Sequence, residues 1–250
     1  MRPHPHEIIH ESGTRDGKGV TVIITLYNYE KTITEAIKSV ERQTYRDLSL
    51  IIVEDKGTDN SLQVCRQYLE KVCGRFRYCL LVQHKENRGL SASRNTACCL
   101  ADTEYIFILD ADNILYEKCI EQCVKYINLQ NHAMAYPIIE KFGMDPGLMS
   151  YELWNKDLLA MGNYIDAMAL IRKSAWEKVG GYSEELTSGW EDYDLWCKFV
   201  EHDMTGVQVP IILARYRVHG ESMLRTITNK RRNIFKLLKV MHNRHPWLRL

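Results

Sequence analysis

The sequence predicts an α/β fold: a Rossmann-like, mostly parallel sheet flanked by helices. Three observations carry this. Unbroken runs of β-branched and apolar residues recur, VTVIITLY at 20–27, LSLIIVE at 48–54 and YIFIL at 105–109. Such runs suit strands buried on both faces. Between them lie segments with apolar residues at i, i+3, i+4 and i+7, the mark of an amphipathic helix. Alternating strands and helices imply right-handed crossovers and a parallel sheet.

Each element follows in turn. Residues 1–18, MRPHPHEIIHESGTRDGK, hold no apolar core of the kind a secretory signal needs and read as a polar leader. The first strand leads into a helix with the inner stripe Ile33, Ala36, Ile37 and Val40, and Thr32 and Glu35 stand at capping-box spacing. After the second strand, Asp59 or Asn60 can cap a helix whose stripe is Leu62, Cys65, Leu69 and Val72. A third strand fits 76–83, a helix 90–100, a fourth strand 105–109, and a helix carries Ile120, Cys123, Val124 and Ile127. Residues 140–163 read as a long excursion. Strand-like YIDAMALI (164–171), a short helix from Ser174, a turn at Gly180-Gly181, a helix over about 191–201 and the strand-like VQVPIILARYRV before His219 follow. A basic helix fills 226–250. The chain thus divides into a leader (1–18), one domain (19–225) with a soft boundary between 19–135 and 136–225, and the C-terminal helix.

Composition excludes several classes. The 250 residues are 45% hydrophobic and 26% charged, and the formal net charge is +1, so nothing steers the chain towards nucleic acid. No apolar run approaches the roughly 18 residues of a membrane-spanning helix. The eight cysteines include no C-x-x-C, and the Cys119/Cys123 pair lacks a second pair for zinc. They read as reduced core thiols in a cytoplasmic protein.

The chemistry gathers at strand ends. Asn28, Asp55, and Asp110 with Asp112 each follow a buried strand, and ligands of open α/β sheets bind beyond the carboxyl ends of strands. Asp110 and Asp112, one residue apart, can hold a divalent cation such as Mg²⁺ or Mn²⁺, or cap the helix that follows. A second cluster, GWEDYDLW, puts Glu191, Asp192 and Asp194 at a helix start, where the dipole favours acids. The flanking Trp190 and Trp196 would give a carboxylate apolar walls, a setting that raises its pKa and suits a general base.

In order, VTVIITLYNYE, IIVEDKGTDNS, NRGLSASRNTA, ILDADN and GGYSEELTSGWEDYDLW resemble the family-2 glycosyltransferases, over about Val20 to Arg225. The resemblance implies a GT-A fold with a nucleotide-sugar half (19–135) and an acceptor half (136–225). It implies inverting, non-processive transfer of a hexosyl or N-acetylhexosaminyl group from a nucleotide-sugar, most often a UDP-sugar. The acceptor would be a hydroxyl of a glycan or a lipid-linked acceptor, as in polysaccharide biosynthesis. Thr25, Tyr27 and Asn28 would border the nucleoside, and Asp55 would read the base. Asn87, Gly89 and Arg94 would run beneath the nucleotide-sugar. Asp110-Ala111-Asp112 matches the D-x-D motif, with Asp112 and Asp110 at the Mn²⁺ or Mg²⁺ ion. His219 matches a further metal ligand, and Arg217, Ser222 and Arg225 would lie near the diphosphate. Asp192 would be the base, Glu191 its partner, and Trp190 an acceptor contact. The sequence departs from the family at Thr25, where proline is usual, at Glu54, where aspartate is usual, and at Lys56, where glycine is usual. No Q-x-x-R-W signature of processive polymerases follows the acids. The rival readings are a degenerate binding module and a sugar nucleotidyltransferase; the second lacks a glycine-rich phosphate loop. The tail, with Lys230, Arg231, Arg232, Lys236 and Lys239 among apolar residues, could dock on the domain or touch an anionic membrane.

Overall fold

A computed structural model describes residues 1–220 and 224–250. The strands are β1 (His6–Gly13), β2 (Val20–Leu26), β3 (Leu48–Glu54), β4 (Tyr78–His84), β5 (Tyr105–Asp110), β6 (Ile114–Leu115), β7 (Met134–Gly143), β8 (Gly147–Met149), β9 (Leu170–Arg172) and β10 (Gly206–Val218). The α-helices are α1 (Ile33–Glu41), α2 (Ser61–Val72), α3 (Leu90–Leu100), α4 (Cys119–Ile127), α5 (Lys156–Met161), α6 (Lys173–Lys178), α7 (Glu191–Glu201) and α8 (Arg231–Arg244).

The strands form one sheet in the order β1-β4-β3-β2-β5-β9-β7-β10-β6, with β8 added to β7. β4, β3, β2 and β5 run parallel, as do β7 and β10. The chain steps outward from β2 to β4 and then returns to lay β5 on the other side of β2. That reversal opens a crevice at the ends of β2 and β5, the usual ligand position in such sheets. Thr25 stands opposite Asp110 there.

Burial on both faces explains the unbroken apolar runs. Val22, Ile24, Leu50 and Ile52 face α1, α2 and α4, while Ile23, Ile51, Ile106 and Ile108 face α3, α7 and α8. Neighbouring strand residues point to opposite sides, so both sets must be apolar. All eight cysteines are free thiols, six of them buried.

Several expectations need correction. Residues 6–13 of the leader are an antiparallel edge strand on β4. The capping box does not form: Thr32 makes no side-chain cap bond, and the Glu35 carboxylate pairs with Arg217 instead. Asn60 also caps without its side chain, while Asp59 accepts from Ser61 N at 2.9 Å and Glu30 N at 3.0 Å. The strand expected at 164–171 shrinks to Leu170–Arg172. Asn163 and Asp166 take the amides of Ile165 and Met168, at 3.2 and 2.9 Å, and hold the preceding stretch as loop. The excursion is partly ordered: β7 runs to Gly143, β8 follows, and Asn155 caps α5 by accepting from Asp157 N at 2.8 Å. The tail docks on the domain through buried Leu237, Met241 and Leu248. Among the described residues, no helix is long and apolar enough to cross a membrane. Ser222 and the side chain of Arg225 lie outside the described residues.

Candidate functional site

The donor-side wall is built from the loops after β2 and β3. Asn28 is left-handed (φ 61°), and its Oδ1 accepts from Thr58 N at 2.7 Å, tying the two loops together. Thr25 is buried and Tyr27 exposed beside it. Lys56, where the family pattern has glycine, is also left-handed (φ 59°). The glycine-like backbone is therefore kept, at about 1–2 kcal/mol for the side chain. Glu54 holds this turn, accepting from Lys56 N at 3.2 Å and Gln83 Nε2 at 2.8 Å.

Asp55 is buried and multiply held. Its Oδ1 accepts from His84 Nδ1 at 2.7 Å and Arg88 N at 2.8 Å, and its Oδ2 accepts from Gly89 N at 2.7 Å. Asn87 Nδ2 donates to the Asp55 carbonyl at 2.9 Å. Gly89 has φ 86° and ψ 171°, a conformation essentially reserved for glycine. The amides of Arg88 and Gly89 meet the Asp55 carboxylate at this turn, and α3 starts from it.

α3 carries Arg94 into the interior, where it is 1% exposed. It donates to Asp110 Oδ1 at 2.8 Å and to Glu191 Oε1 at 2.5 Å, and its guanidinium lies 5.5 Å from the Tyr182 ring centre. Burial works against its charge, but the two carboxylates more than reverse that and raise its pKa. Arg94 thus ties the D-x-D strand to the acidic helix. Through this pair Glu191 Oε1 fixes the start of α7 against α3.

Asp112 and His219 form the other pole. His219 Nε2 lies 2.9 Å from Asp112 Oδ2, delivered by the long strand β10. Arg217 steadies that delivery: its N donates to Asn113 Oδ1 and its Nε to the Asp112 carbonyl, both at 2.9 Å. Burial, then the charge of Asp110, pushes the Asp112 carboxyl up. Tyr29 packs edge-on against His219, with ring centres 6.3 Å apart.

At the start of α7, Trp190 is left-handed (φ 65°) and stacks edge-on against Tyr193 at 6.1 Å. Trp196 is wholly buried and donates to the Ile165 carbonyl at 3.1 Å, so its role is in the core. Asp192 Oδ2 accepts from Asn163 Nδ2 at 3.1 Å. Burial, then the charges of Glu191 and Asp166, pushes Asp192 up to about 8. Asp166, also pushed up to about 7 by burial and by Asp110, belongs to the same acidic surface. The sequence reading missed it. Its signal was an acid inside the otherwise apolar IDAMALI. Among the described residues, no group of three or more His, Cys, Asp or Glu is placed to hold a metal ion together.

A family model described as Glycosyl transferase family 2 matches residues 21–183. The putative glycosyltransferase EpsE of Bacillus subtilis is 28% identical over 215 residues, covering 84% of this chain and 76% of that protein. The glycosyltransferase GlyG of Streptococcus pneumoniae is 35% identical over 103 residues, 41% of this chain and 33% of that protein. Among solved structures, S. aureus TarS 1–349 in complex with UDP-GlcNAc superposes with TM-score 0.74 at 17% identity, covering 90% of this chain and 66% of that one. The mannosyltransferase PcManGT from Pyrobaculum calidifontis, in complex with GDP-Man and Mn²⁺, gives TM-score 0.65 at 21% identity, over 82% and 58%. The chain spans about a third of GlyG and under two thirds of PcManGT. With the doubly wound sheet, the paired strand-end acids and this match over most of its length, the chain belongs to glycosyl transferase family 2 and is a glycosyltransferase of the GT-A fold.

Proposed function

We propose that the chain moves a sugar from a UDP-sugar to a hydroxyl of a glycan or lipid-linked acceptor, with inversion and a divalent cation. The observation that carries this reading is one crevice with two unlike poles. Asp112 and His219 pair on one side, a carboxyl poised near neutral pH stands on the other, and Arg94 with Glu191 joins them.

The donor chemistry fits a cation. Asp112 and His219 offer oxygen and nitrogen ligands, a set that suits Mn²⁺, and Asp110 is near enough for its charge to act on Asp112. Asp112 is held above its ordinary pKa by burial and a like charge, which a nearby cation would relieve. Asp112 and His219 would hold the ion, whose positive charge would offset charge on the leaving nucleotide. The protein residues do the rest. Asp192 accepts the proton of the acceptor hydroxyl as that oxygen attacks the anomeric carbon from the face opposite the diphosphate, and the bond from that carbon to the diphosphate oxygen breaks, its electron pair leaving with UDP. Asn163 and Glu191 keep Asp192 and the helix start in place. Trp190 offers a ring face at the acceptor side.

Base preference follows from counting acceptors. An ionised carboxylate has about four lone-pair sites. Asp55 already takes three donors, from His84, Arg88 and Gly89. One site remains, which matches the single imide N–H of uracil rather than the paired donors of guanine. The reading also places the protein in the cytoplasm, with α8 available for peripheral membrane contact near a lipid-linked acceptor.

Calorimetric titration of UDP with and without Mn²⁺, beside Asp112→Ala, tests this. Metal-dependent binding lost in the variant is expected. Absence of UDP binding in both conditions would reject it.

A further inference from the structure

We propose that His84 is the positioning residue of nucleobase recognition, and that the segment before β1 closes a hydrogen-bond chain that holds it. This rests on the reading of Asp55 as the base-reading acid.

His84 ends β4 and is wholly buried. A buried histidine needs partners for both ring nitrogens, and both are present. Nδ1 lies 2.7 Å from Asp55 Oδ1, and Nε2 lies 2.9 Å from Thr96 Oγ1 on α3. An ionised carboxylate only accepts, so the proton on that side belongs to Nδ1. In a neutral ring Nε2 is then an acceptor, and the Thr96 hydroxyl donates to it. Thr96 Oγ1 in turn accepts from the backbone N of His4 at 3.2 Å. The chain runs His4 N–H to Thr96, Thr96 O–H to His84, His84 Nδ1–H to Asp55. Every donor has one acceptor, and only one tautomer satisfies all four members.

The His84 bond occupies one lone pair of Asp55 Oδ1, and the Arg88 amide occupies the other. The carboxylate cannot rotate without breaking both. Its remaining acceptor capacity is therefore confined to Oδ2. A carboxylate free to turn would present either oxygen and accept two donors as readily as one. His84 thus converts a generic acid into a one-donor reader. The far end of the chain is anchored as well. The His4 ring lies 2.8 Å from Glu184 Oε1, which also accepts from Asn95 Nδ2 at 3.0 Å. Residues before β1 therefore connect the base-reading acid to the loop that precedes the acidic helix.

UDP and CDP are the probes, because uracil carries a hydrogen on N3 where cytosine carries a lone pair. Calorimetry with Mn²⁺ on the full chain gives the ratio of their affinities. His84→Ala should reduce the preference for UDP by about tenfold, the scale of a hydrogen bond to a charged group. His84→Asn, whose amide can donate from nearly the Nδ1 position, should restore most of it. Thr96→Val should produce a smaller loss with the same sign. Unfolding midpoints are measured alongside. The proposal is overturned if His84→Ala weakens UDP and CDP alike, or leaves the ratio unchanged, while the wild type discriminates. A wild type that binds both nucleotides equally would overturn the Asp55 reading itself, and the proposal with it.

Discussion

Asp192 and Asp194 sit two residues apart in the first turn of α7, and the protein treats them in opposite ways. Asp192 has two neutral partners, Asn163 Nδ2 at 3.1 Å and Tyr193 N at 2.7 Å, and acids for neighbours, and it is pushed up to about 8. Asp194 is wholly buried among basic side chains: Arg244 Nε at 2.6 Å, His245 Nε2 at 3.0 Å and Lys198 Nζ at 3.0 Å. Burial alone would raise Asp194 too, but the His245 hydrogen bond and the charges of Lys198 and Arg244 hold it well below the ordinary carboxylate range. Burial is common to both; the partners set the sign. One acid is left able to take a proton, and the other fastens α8 to the domain.

Breaking each side should give different losses. Asp192→Asn should cut turnover by about 10²–10⁴-fold, the usual worth of a general base, with UDP affinity unchanged by calorimetry. Asp194→Asn should leave buried cations unpaired and cost about 3–5 kcal/mol in urea denaturation, while the remaining folded molecules keep their turnover.

The pH dependence sharpens the contrast. As the proposed base, Asp192 would have to be ionised, so kcat/KM should rise with pH towards about 8, and Asp192→Asn should abolish the limb. For stability the signs differ. The folded protein binds the Asp192 proton more tightly than the unfolded chain does. Asp192 therefore costs stability as pH rises from about 4 to about 8. Asp194, with its pKa depressed, adds stability above about 4, and that is lost as pH falls below it. At neutral pH, Asp192→Asn should therefore raise the unfolding midpoint and Asp194→Asn lower it. A matching direction in both would refute the partner argument. The smallest effect belongs to Asn163→Ala, about 2–10-fold in turnover for one neutral hydrogen bond, with the rising limb moved to higher pH.

The parallel sheet was legible because strands buried on both faces leave no polar position to hide them. β1 was not. HEIIHESG is an edge strand with charged residues, and edges need no apolar run. The stretch 164–169 misled for the opposite reason. It is apolar and buried, but Asn163 and Asp166 cap its amides and hold it as loop. The capping box failed because Glu35 found Arg217, a partner far along the chain. In the site, Asp55, Asp110, Asp112 and Asp192 announced themselves by position after strands or at a helix start. His84 did not, since its meaning comes only from what the fold brings beside it, and Asp166 left only the trace of an acid inside an apolar run. The acidic cluster read as one feature, and the structure gives its acids unlike partners: Arg94 for Glu191, Asn163 and the Tyr193 amide for Asp192, and Arg244, His245 and Lys198 for Asp194.

The antiparallel pairing of β1 with β4 has a consequence for how the molecule is made. β2 and β3 lie between the two in sequence, so β1 leaves the ribosome well before its partner exists. It cannot nucleate anything alone, and the parallel strands must assemble first. Until β1 returns, the nascent sheet ends in the bare edge of β4, whose residues are nearly all apolar. Such an edge is a template for strands of other chains. Once docked, β1 substitutes an edge interrupted by a bulge between Ile8 and His10 and bearing Glu7 and Glu11. Yield during synthesis is then a race between this late closure and encounter with another unfinished copy.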